Sequence, residues 1–298
     1  MRRCYRVAGL TFALDLPAGH PAAQRLHNYA PFAVPDTAVP DTAGTEMLFS
    51  LSLTDEAPAA AGELLYAAPE TSGEPVSRLR RCGDAFLAEF SPAPSAPVCG
   101  QLGFDADFRR GRLYACGTPA AQHFALDNAL MLLFAFASAP FRALLLHASA
   151  VRRRGRGFLF LGRSGTGKST HSALWLDHIA GTGLLNDDNP VLRIADDGTV
   201  RVYGSPWSGK TPCYKAEDAP VGAIVRLRQA PQNRIVRLGT AAAYASLLAA
   251  CSGFRPFRAL TDAQHETLAA AIAQVPCYQL DCLPDEAAAR LCQSTIDG

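Results

Sequence analysis

Residues 162–169, Gly-Arg-Ser-Gly-Thr-Gly-Lys-Ser, combine residue types and spacing that can do chemistry. They match the pattern G-x-x-x-x-G-K-[ST], in which a glycine-rich backbone wraps around phosphate oxygens. Glycine adopts positive φ angles at little cost, so such a backbone can approach an anion closely. We therefore predict a phosphate loop that binds ATP. Its predicted nucleotide-binding residues are Gly162, Ser164, Gly165, Thr166, Gly167, Lys168, Ser169 and Thr170.

The last residues of this loop have the most specific predicted roles. Lys168 is expected to reach the β and γ phosphates and to take part in catalysis, and the Ser169 hydroxyl to coordinate Mg²⁺. Thr170 is expected to cap the following helix or to line the nucleotide site. The alternative is a glycine-rich turn that binds nothing. The strand-like FLFLG before the loop and the helix-like STHSALWL after it favour the phosphate loop.

Two adjacent acids, Asp187 and Asp188, end a strand-like run in GLLNDDNPVL. An acid at the end of an apolar strand is the usual second Mg²⁺ anchor in phosphoryl-transfer sites. Two neighbouring acids allow one to serve the metal while the other accepts a proton from an attacking hydroxyl. The alternative is an ordinary Asp-Asp-Asn-Pro turn, which the composition also favours. Their position downstream of a phosphate loop favours the catalytic interpretation.

Four further residues are weaker candidates. His147, in LLLHASAV, could orient an acid or polarise the acceptor, or it could be a packed core histidine. Lys210, in YGSPWSGKTPCYK, is predicted to approach phosphate, with a solvated surface lysine as the alternative. Arg226 and Arg228 alternate along IVRLRQ and could neutralise the transferring group, or they could form surface salt bridges.

The elements that must position these residues indicate an α/β protein of two regions. Residues 1–117 contain short strand-like runs and are predicted to be a β-rich N-terminal region that acts as a lid or a substrate-recognition module. Residues 118–298 alternate strands with helical segments and are predicted to be the catalytic domain. A strand, a phosphate loop, a helix and an acidic strand end in this order predict ligands at the carboxyl ends of strands.

The composition excludes several classes of partner. The net charge is +1 and the sequence pI is about 7.6, which gives no electrostatic footprint for nucleic acid or an anionic membrane. The arginine-rich residues 152–156 are predicted to be a solvated hairpin turn. No uninterrupted apolar run reaches about 18 residues, so no membrane-spanning helix is expected. The nine scattered cysteines lack any C-x-x-C, which predicts reduced thiols in a cytoplasmic protein.

The order LLLHASAVRRRGRGFLFLGRSGTGKST, followed by GLLNDDNPVL, resembles the catalytic core of HPr kinase/phosphorylase and its kinase-like relatives. That family has a histidine-bearing strand, a short hairpin, a G-x-S-G-x-G-K-S loop and a later strand ending in Asp-Asp. The resemblance covers roughly residues 141–230. It implies an α/β (α+β) core of mixed sheet and helices, similar to phosphoenolpyruvate carboxykinase, and phosphoryl transfer from ATP–Mg²⁺ to a hydroxyl.

The resemblance also implies a role for each matching residue. Lys168 and Ser169 would bind phosphates and metal, and His147 would support the acidic centre. Asp187 is assigned as the base, and Asp188 as the acid that serves the metal with Ser169. The N-terminal region has no counterpart in that family, and its downstream arginine-glycine segment is not found. The acceptor and a reverse phosphorylase activity are therefore not carried over.

These observations predict an ATP- and Mg²⁺-dependent kinase that phosphorylates a hydroxyl of a protein, peptide or small molecule. A nucleotide-binding regulatory or assembly module with little turnover is the main alternative. A simple NTPase and a carboxykinase-like lyase are further alternatives, although no evident set of residues for a second metal supports the lyase. The oligomeric state is left open, a homo-oligomer included.

Overall fold

A computed structural model describes residues 1–17, 20, 22, 26–35, 47–58, 61–68, 75–209, 211–252 and 257–297. The chain forms two compact units. Unit 1 comprises Met1–Ser138 and Phe254–Phe257, and unit 2 comprises Ala139–Gly253 and Arg258–Gly298. Each unit combines a mixed β-sheet with helices, so the predicted α/β (α+β) class is confirmed at that level. The similarity of the core to phosphoenolpyruvate carboxykinase stays a prediction.

Within the described residues, nine strands form the sheet of unit 1. They are β1 (Arg2–Val7), β2 (Leu10–Asp15), β3 (Ala33–Val34), β4 (Ser50–Thr54), β5 (Glu63–Ala67), β6 (Val76–Cys82), β7 (Ala85–Ser91), β8 (Gly100–Phe104) and β9 (Arg110–Ala115). Their order across the sheet is β3-β1-β2-β4-β9-β8-β7-β6-β5. β4 is parallel to β2 and to β9, and the other pairs are antiparallel.

Helix α1 (Pro119–Ala137) belongs to unit 1 and corrects the predicted boundary between residues 117 and 118. The Thr118 side chain caps the helix by accepting a hydrogen bond from Ala121 N, at 3.3 Å. The helix then packs against β7, β8 and β9, because its apolar residues need a sheet to cover them. The chain therefore divides after Ser138 rather than before the helix.

α1 also differs from the expectation that no helix could span a membrane. Among the described helices it is the one that is long and apolar enough to do so, by length and composition alone. Yet 56% of its apolar window is buried. Its contacts with three strands of its own unit are those of a core helix.

Unit 2 contains a second sheet, also of nine strands among the described residues. They are β10 (Ala143–Leu145), β11 (Ala148–Arg153), β12 (Arg156–Leu161), β13 (Thr182–Asp188), β14 (Val191–Ile194), β15 (Val200–Tyr203), β16 (Asp218–Gln229), β17 (Arg234–Arg237) and β18 (Cys277–Cys282). The order is β10-β14-β15-β16-β12-β11-β13, with β18 paired to both β16 and β17. The strands β12, β16 and β18 are parallel neighbours, so their carboxyl ends lie at one edge.

Four helices cover both faces of this sheet. They are α2 (Lys168–His178), α3 (Thr240–Leu248), α4 (Arg258–Gln274) and α5 (Glu286–Ile296). α2 and α5 enclose one apolar cluster, with Phe160 and Trp175 fully buried in it. α3 and α4 enclose the other, with Leu159 on the opposite side of β12. Burial of each such side chain stabilises the fold by about 1.5–3 kcal/mol.

The β11–β12 hairpin confirms the predicted arginine-rich turn. Its two loop residues, Arg154 and Gly155, have φ angles of 48° and 75°, as a two-residue hairpin loop requires. The flanking arginines are paired within unit 2, Arg152 with Glu217 at 3.2 Å and Arg153 with Asp297. The hairpin places β12 beside β11, whose other neighbour is the acid-bearing β13.

Candidate active site

The glycine-rich loop, residues 162–169, joins the end of β12 to the start of α2. Gly165 and Gly167 have φ angles of 78° and 103°, and a Cβ at either would meet no atom within 4 Å. Backbone conformation, rather than space, therefore requires glycine at these two positions. The predicted order of strand, loop and helix is present.

The start of α2 is open to an anion. No side chain caps the helix at Gly167. The first amides of a helix have no partner within the helix, and the helix dipole is positive at this end. Ser169 and Thr170 lie exposed in the first turn. This end of α2 can therefore bind phosphate oxygens through backbone amides and these hydroxyls.

Lys168 lies folded over the beginning of its own loop. Its side-chain Nζ donates to Gly162 O at 3.0 Å and lies 3.4 Å from Arg163 O. The residue is only 8% exposed. Burial lowers the pKa of Lys168, and the negative charges of Asp188 and Asp187 oppose that change. The ammonium group thus lies between loop carbonyls and the two acids.

His147 connects Lys168 to Asp188. Its Nε2 lies 2.9 Å from Lys168 Nζ and 3.2 Å from Asp188 Oδ1. One ring nitrogen cannot accept a hydrogen bond and donate one at the same time, so the tautomer selects between the two partners. The backbone holds the ring in this place, because His147 N donates to Ala250 O at 2.7 Å. The arrangement can pass a proton between an acid and its surroundings.

Asp188 ends β13 in an unusual conformation. Its φ angle is 122°, a region that residues other than glycine rarely adopt. Both carboxylate oxygens have partners, since Oδ1 faces His147 and Oδ2 accepts from Asn189 Nδ2 at 2.9 Å. The side chain is nevertheless 38% exposed. Backbone strain of this kind persists where surrounding contacts hold it, often at functional sites.

Asp187 is the buried member of the acidic pair. The residue is 2% exposed, and its Oδ2 has no hydrogen-bond partner in the described part of the chain. It pairs in register with Ser149 of β11, whose hydroxyl lies 2.6 Å from the Ser172 hydroxyl of α2. A buried carboxylate oxygen without a partner is costly. Such an oxygen is a candidate donor to a ligand or a cation.

The loop residues 204–209 and 211–213 hold the end of β13. Gly209 N donates to Asp187 O at 2.5 Å, and Ser208 Oγ lies 3.0 Å from the same oxygen. A Cβ at Gly209 would lie 3.0 Å from Asp188 Cβ, so this close approach favours glycine. Lys210, the candidate phosphate ligand of this loop, lies outside the described residues. The contacts of this loop hold the backbone of Asp187 and Asp188 in place.

The loop also contacts Asn186, which the sequence analysis did not select. Asn186 Nδ2 lies within 3.3 Å of oxygens of Ser205 and Trp207. Its Oδ1 accepts from Asn189 N at 2.9 Å. The asparagine thus ties the segment that carries both acids to the loop around Ser205 and Trp207. A buried amide immediately before two acids is the signal that could have identified it.

The structure brings some predicted residues together and leaves others apart. Lys168, His147 and Asp188 form one contact cluster, which we call the catalytic cluster for the role that we propose for it. Arg228 instead forms a bidentate ion pair with Asp281, both distances being 2.7 Å, as its salt-bridge alternative predicts. Arg226 is exposed on the same strand.

The residues present fit a magnesium ion. Within the described ranges, no group of three or more His, Cys, Asp and Glu side chains could hold a metal by itself. Mg²⁺, however, commonly takes one or two carboxylates and completes its shell with substrate phosphates and water. The unpartnered oxygen of Asp187, with Asp188 and the exposed Ser169 hydroxyl, supplies donors of this kind.

Comparison with known proteins gives limited information. No family model matches the chain, and no curated protein matches it. Among solved structures, the chain is similar to the HPr(Ser) kinase/phosphatase from Coxiella burnetii, with 13% sequence identity and a TM-score of 0.31. The match covers 51% of this chain and 88% of that chain. These values are those of a distant similarity in fold.

Proposed function

We propose that this protein is an ATP- and Mg²⁺-dependent kinase that transfers the γ-phosphoryl group to a hydroxyl of a protein, peptide or small molecule. The observation that carries the proposal is the catalytic cluster. In this cluster, His147 Nε2 lies 2.9 Å from Lys168 Nζ and 3.2 Å from Asp188 Oδ1. The cluster adjoins the N-terminus of α2, whose N-cap residue, Gly167, has no side chain to cap it. Phosphoryl transfer needs these components, because its catalysis consists mainly of positioning and charge neutralisation.

The glycine-rich loop would hold the phosphates. Its amides and the positive end of α2 bind the oxygens, and Lys168 exchanges the carbonyl of Gly162 for a phosphate oxygen. A lysine that is already desolvated exerts a stronger field on the charge that develops during transfer. Ser169 and Asp187 would hold Mg²⁺, which supplies further neutralisation of phosphate charge when bound.

We assign the general base to Asp188, the reverse of the order expected from the sequence. Its carboxylate is the more accessible of the two and faces His147, whereas Asp187 is buried with a free oxygen suited to a cation. Asp188 accepts the proton as the acceptor O–H bond breaks. The acceptor oxygen then bonds to the γ-phosphorus, and the bond to the β-phosphate oxygen breaks, which leaves ADP.

The test is phosphoryl transfer from γ-labelled ATP to a panel of seryl peptides and small hydroxyl compounds. We expect Asp188→Asn to lower the transfer rate by about 10²–10⁴-fold with ATP affinity retained, because general base catalysis contributes that much. Asp187→Asn should instead raise the Mg²⁺ concentration needed for transfer. Asp196→Asn, a fully exposed acid of the same unit, is the matched control and should change neither.

Other outcomes identify the alternatives. Phosphate release without any acceptor, at the same rate as in its presence, indicates an NTPase. Tight ATP binding with no transfer to any acceptor indicates a regulatory module. If Asp188→Asn transfers normally while Asp187→Asn is inactive at every Mg²⁺ concentration, the two acids have the roles expected from the sequence.

A further inference from the structure

A cavity of about 360 Å³ lies beside the glycine-rich loop. Its lining includes the loop at Gly165–Gly167 but no residue of the catalytic cluster. The remaining walls come from Thr170 and Leu174 of α2, from the carboxyl ends of β16 and β18, and from the link before α5. Ligands of α/β sheets commonly bind at this position, outside the carboxyl ends of parallel strands.

The cavity walls carry no charge. Five of the lining residues are apolar, namely Leu174, Leu227, Ala230, Leu283 and Pro284. Burial lowers the pKa of His171, which also lines the cavity, to about 4, so its imidazole is neutral at pH 7. Such walls fit a neutral, flat group better than an anion.

One polar side chain has a fixed orientation at this cavity. Gln229, at the end of β16, donates from Nε2 to Gly165 O at 3.2 Å. One N–H of Nε2 bonds to the loop, and a flip of the amide would break that bond, so Oε1 keeps its place as the hydrogen-bond acceptor beside the remaining N–H. An acceptor favours a ligand with an amino group and disfavours one with a carbonyl at the same position.

We propose that this cavity binds the base of the nucleotide and that Gln229 selects adenine over guanine. Adenine presents an exocyclic amine where guanine presents a carbonyl oxygen. The base would pack against Leu283, which is 40% exposed, while the phosphates lie on the adjoining loop. This inference rests on the proposed function, because it takes the ligand of the glycine-rich loop to be a nucleotide.

The experiment compares the binding of ATP, GTP and tripolyphosphate by calorimetry at one Mg²⁺ concentration. We expect ATP to bind about 10–100-fold more tightly than GTP, the discrimination that one mismatched polar contact gives. Gln229→Leu should bring the two nucleotides to within about threefold of each other and leave tripolyphosphate unchanged. Leu283→Glu should weaken ATP but not tripolyphosphate. Leu248→Glu, an equally exposed leucine on α3, is the matched control.

Two results overturn the inference in distinguishable ways. If all three ligands bind equally well, the loop binds phosphate as proposed but the cavity does not bind the base. If tripolyphosphate and both nucleotides fail to bind the folded protein, the proposed function itself is wrong. Unchanged discrimination in Gln229→Leu would remove this residue as the selecting group.

Discussion

Two carboxylates, one in each unit, show how differently the units surround an acidic side chain. Asp127 of unit 1 is fully engaged: Oδ1 accepts from Tyr29 Oη at 2.7 Å, and Oδ2 lies 3.2 Å from His123 Nε2. Asp187 of unit 2 keeps an oxygen without a partner. A satisfied network fixes a structure, whereas an unsatisfied group costs stability and is retained where a ligand completes it.

Two of the cavities differ in the charge of their walls. Unit 1 has a cavity of about 580 Å³ with walls of mixed charge, including Arg110, Arg112, Asp84 and Glu56. The smaller cavity of unit 2 is uncharged and adjoins the glycine-rich loop. Volume alone would select the first. The chemistry of the walls and the neighbouring loop favour the second as the nucleotide site that we propose.

The largest expected difference between the units tests whether phosphoryl transfer depends on unit 2 alone. We expect Lys168→Met to lower the transfer rate by about 10²–10³-fold, because it removes one preorganised donor to the developing charge. Asp127→Asn, the matched change in the network of unit 1, should leave transfer within about twofold. Steady-state assays with γ-labelled ATP measure both. Equal losses in the two variants would contradict the contrast between the units.

An effect of intermediate size is expected on the stability of the fold at low pH. Burial lowers the pKa of His171 to about 4, below the ordinary histidine value near 6.5. The unfolded chain therefore takes up a proton over this range and the folded one does not, so stability is complete above about pH 6.5 and falls towards pH 4. The expected loss at pH 4.5 is about 2–3 kcal/mol. In unit 1, desolvation raises the pKa of Asp127, so its contribution is largest at low pH and decreases as pH rises.

Urea unfolding at pH 7.5 and pH 4.5 measures this difference. His171→Gln should reduce the pH dependence of unit 2, since glutamine still offers an acceptor to Trp175 Nε1, which now donates to His171 at 3.2 Å. His178→Gln, on the same helix and half-exposed, is the control. An unchanged pH slope in His171→Gln would show that other groups cause the acid sensitivity.

The smallest expected effect belongs to Arg228. Its exposed ion pair with Asp281 should contribute little, because solvent screens such pairs. We expect Arg228→Ala to change the transfer rate and the unfolding midpoint hardly at all, within about twofold for the rate. A decrease in the transfer rate of about tenfold or more would indicate that Arg228 neutralises charge on the phosphoryl group during transfer.

The sequence predicted the local parts of this molecule well. The strand, loop and helix around residues 158–176 follow from apolar pattern and glycine spacing, and the two-residue turn at Arg154 follows from composition. These features depend on near neighbours in the chain. The role of each acid was harder to predict from the sequence. Asp187 and Asp188 have the same chemistry, and they differ only in the burial that other segments impose.

Long-range partners could not be predicted. Gly209 contacts the backbone of Asp187 across a distance in sequence that no local pattern specifies. In the sequence, Gln229 is only the last residue of a strand-like run, and nothing in that run predicts its bond to Gly165. The boundary near residue 118 was misplaced for a related reason. The apolar sequence of α1 indicates that the helix is buried. It does not indicate which sheet the helix packs against.

The position of β18 also bears on the order in which the protein folds. Leu280 of β18 pairs with Leu227 of β16, and α3 and α4 lie between them in the chain. Contacts that close such long stretches of chain form slowly, whereas the β11–β12 hairpin is local. The glycine-rich loop can therefore form early, and the wall that β18 supplies is completed late. During folding, the proposed triphosphate site would therefore form before the proposed base site.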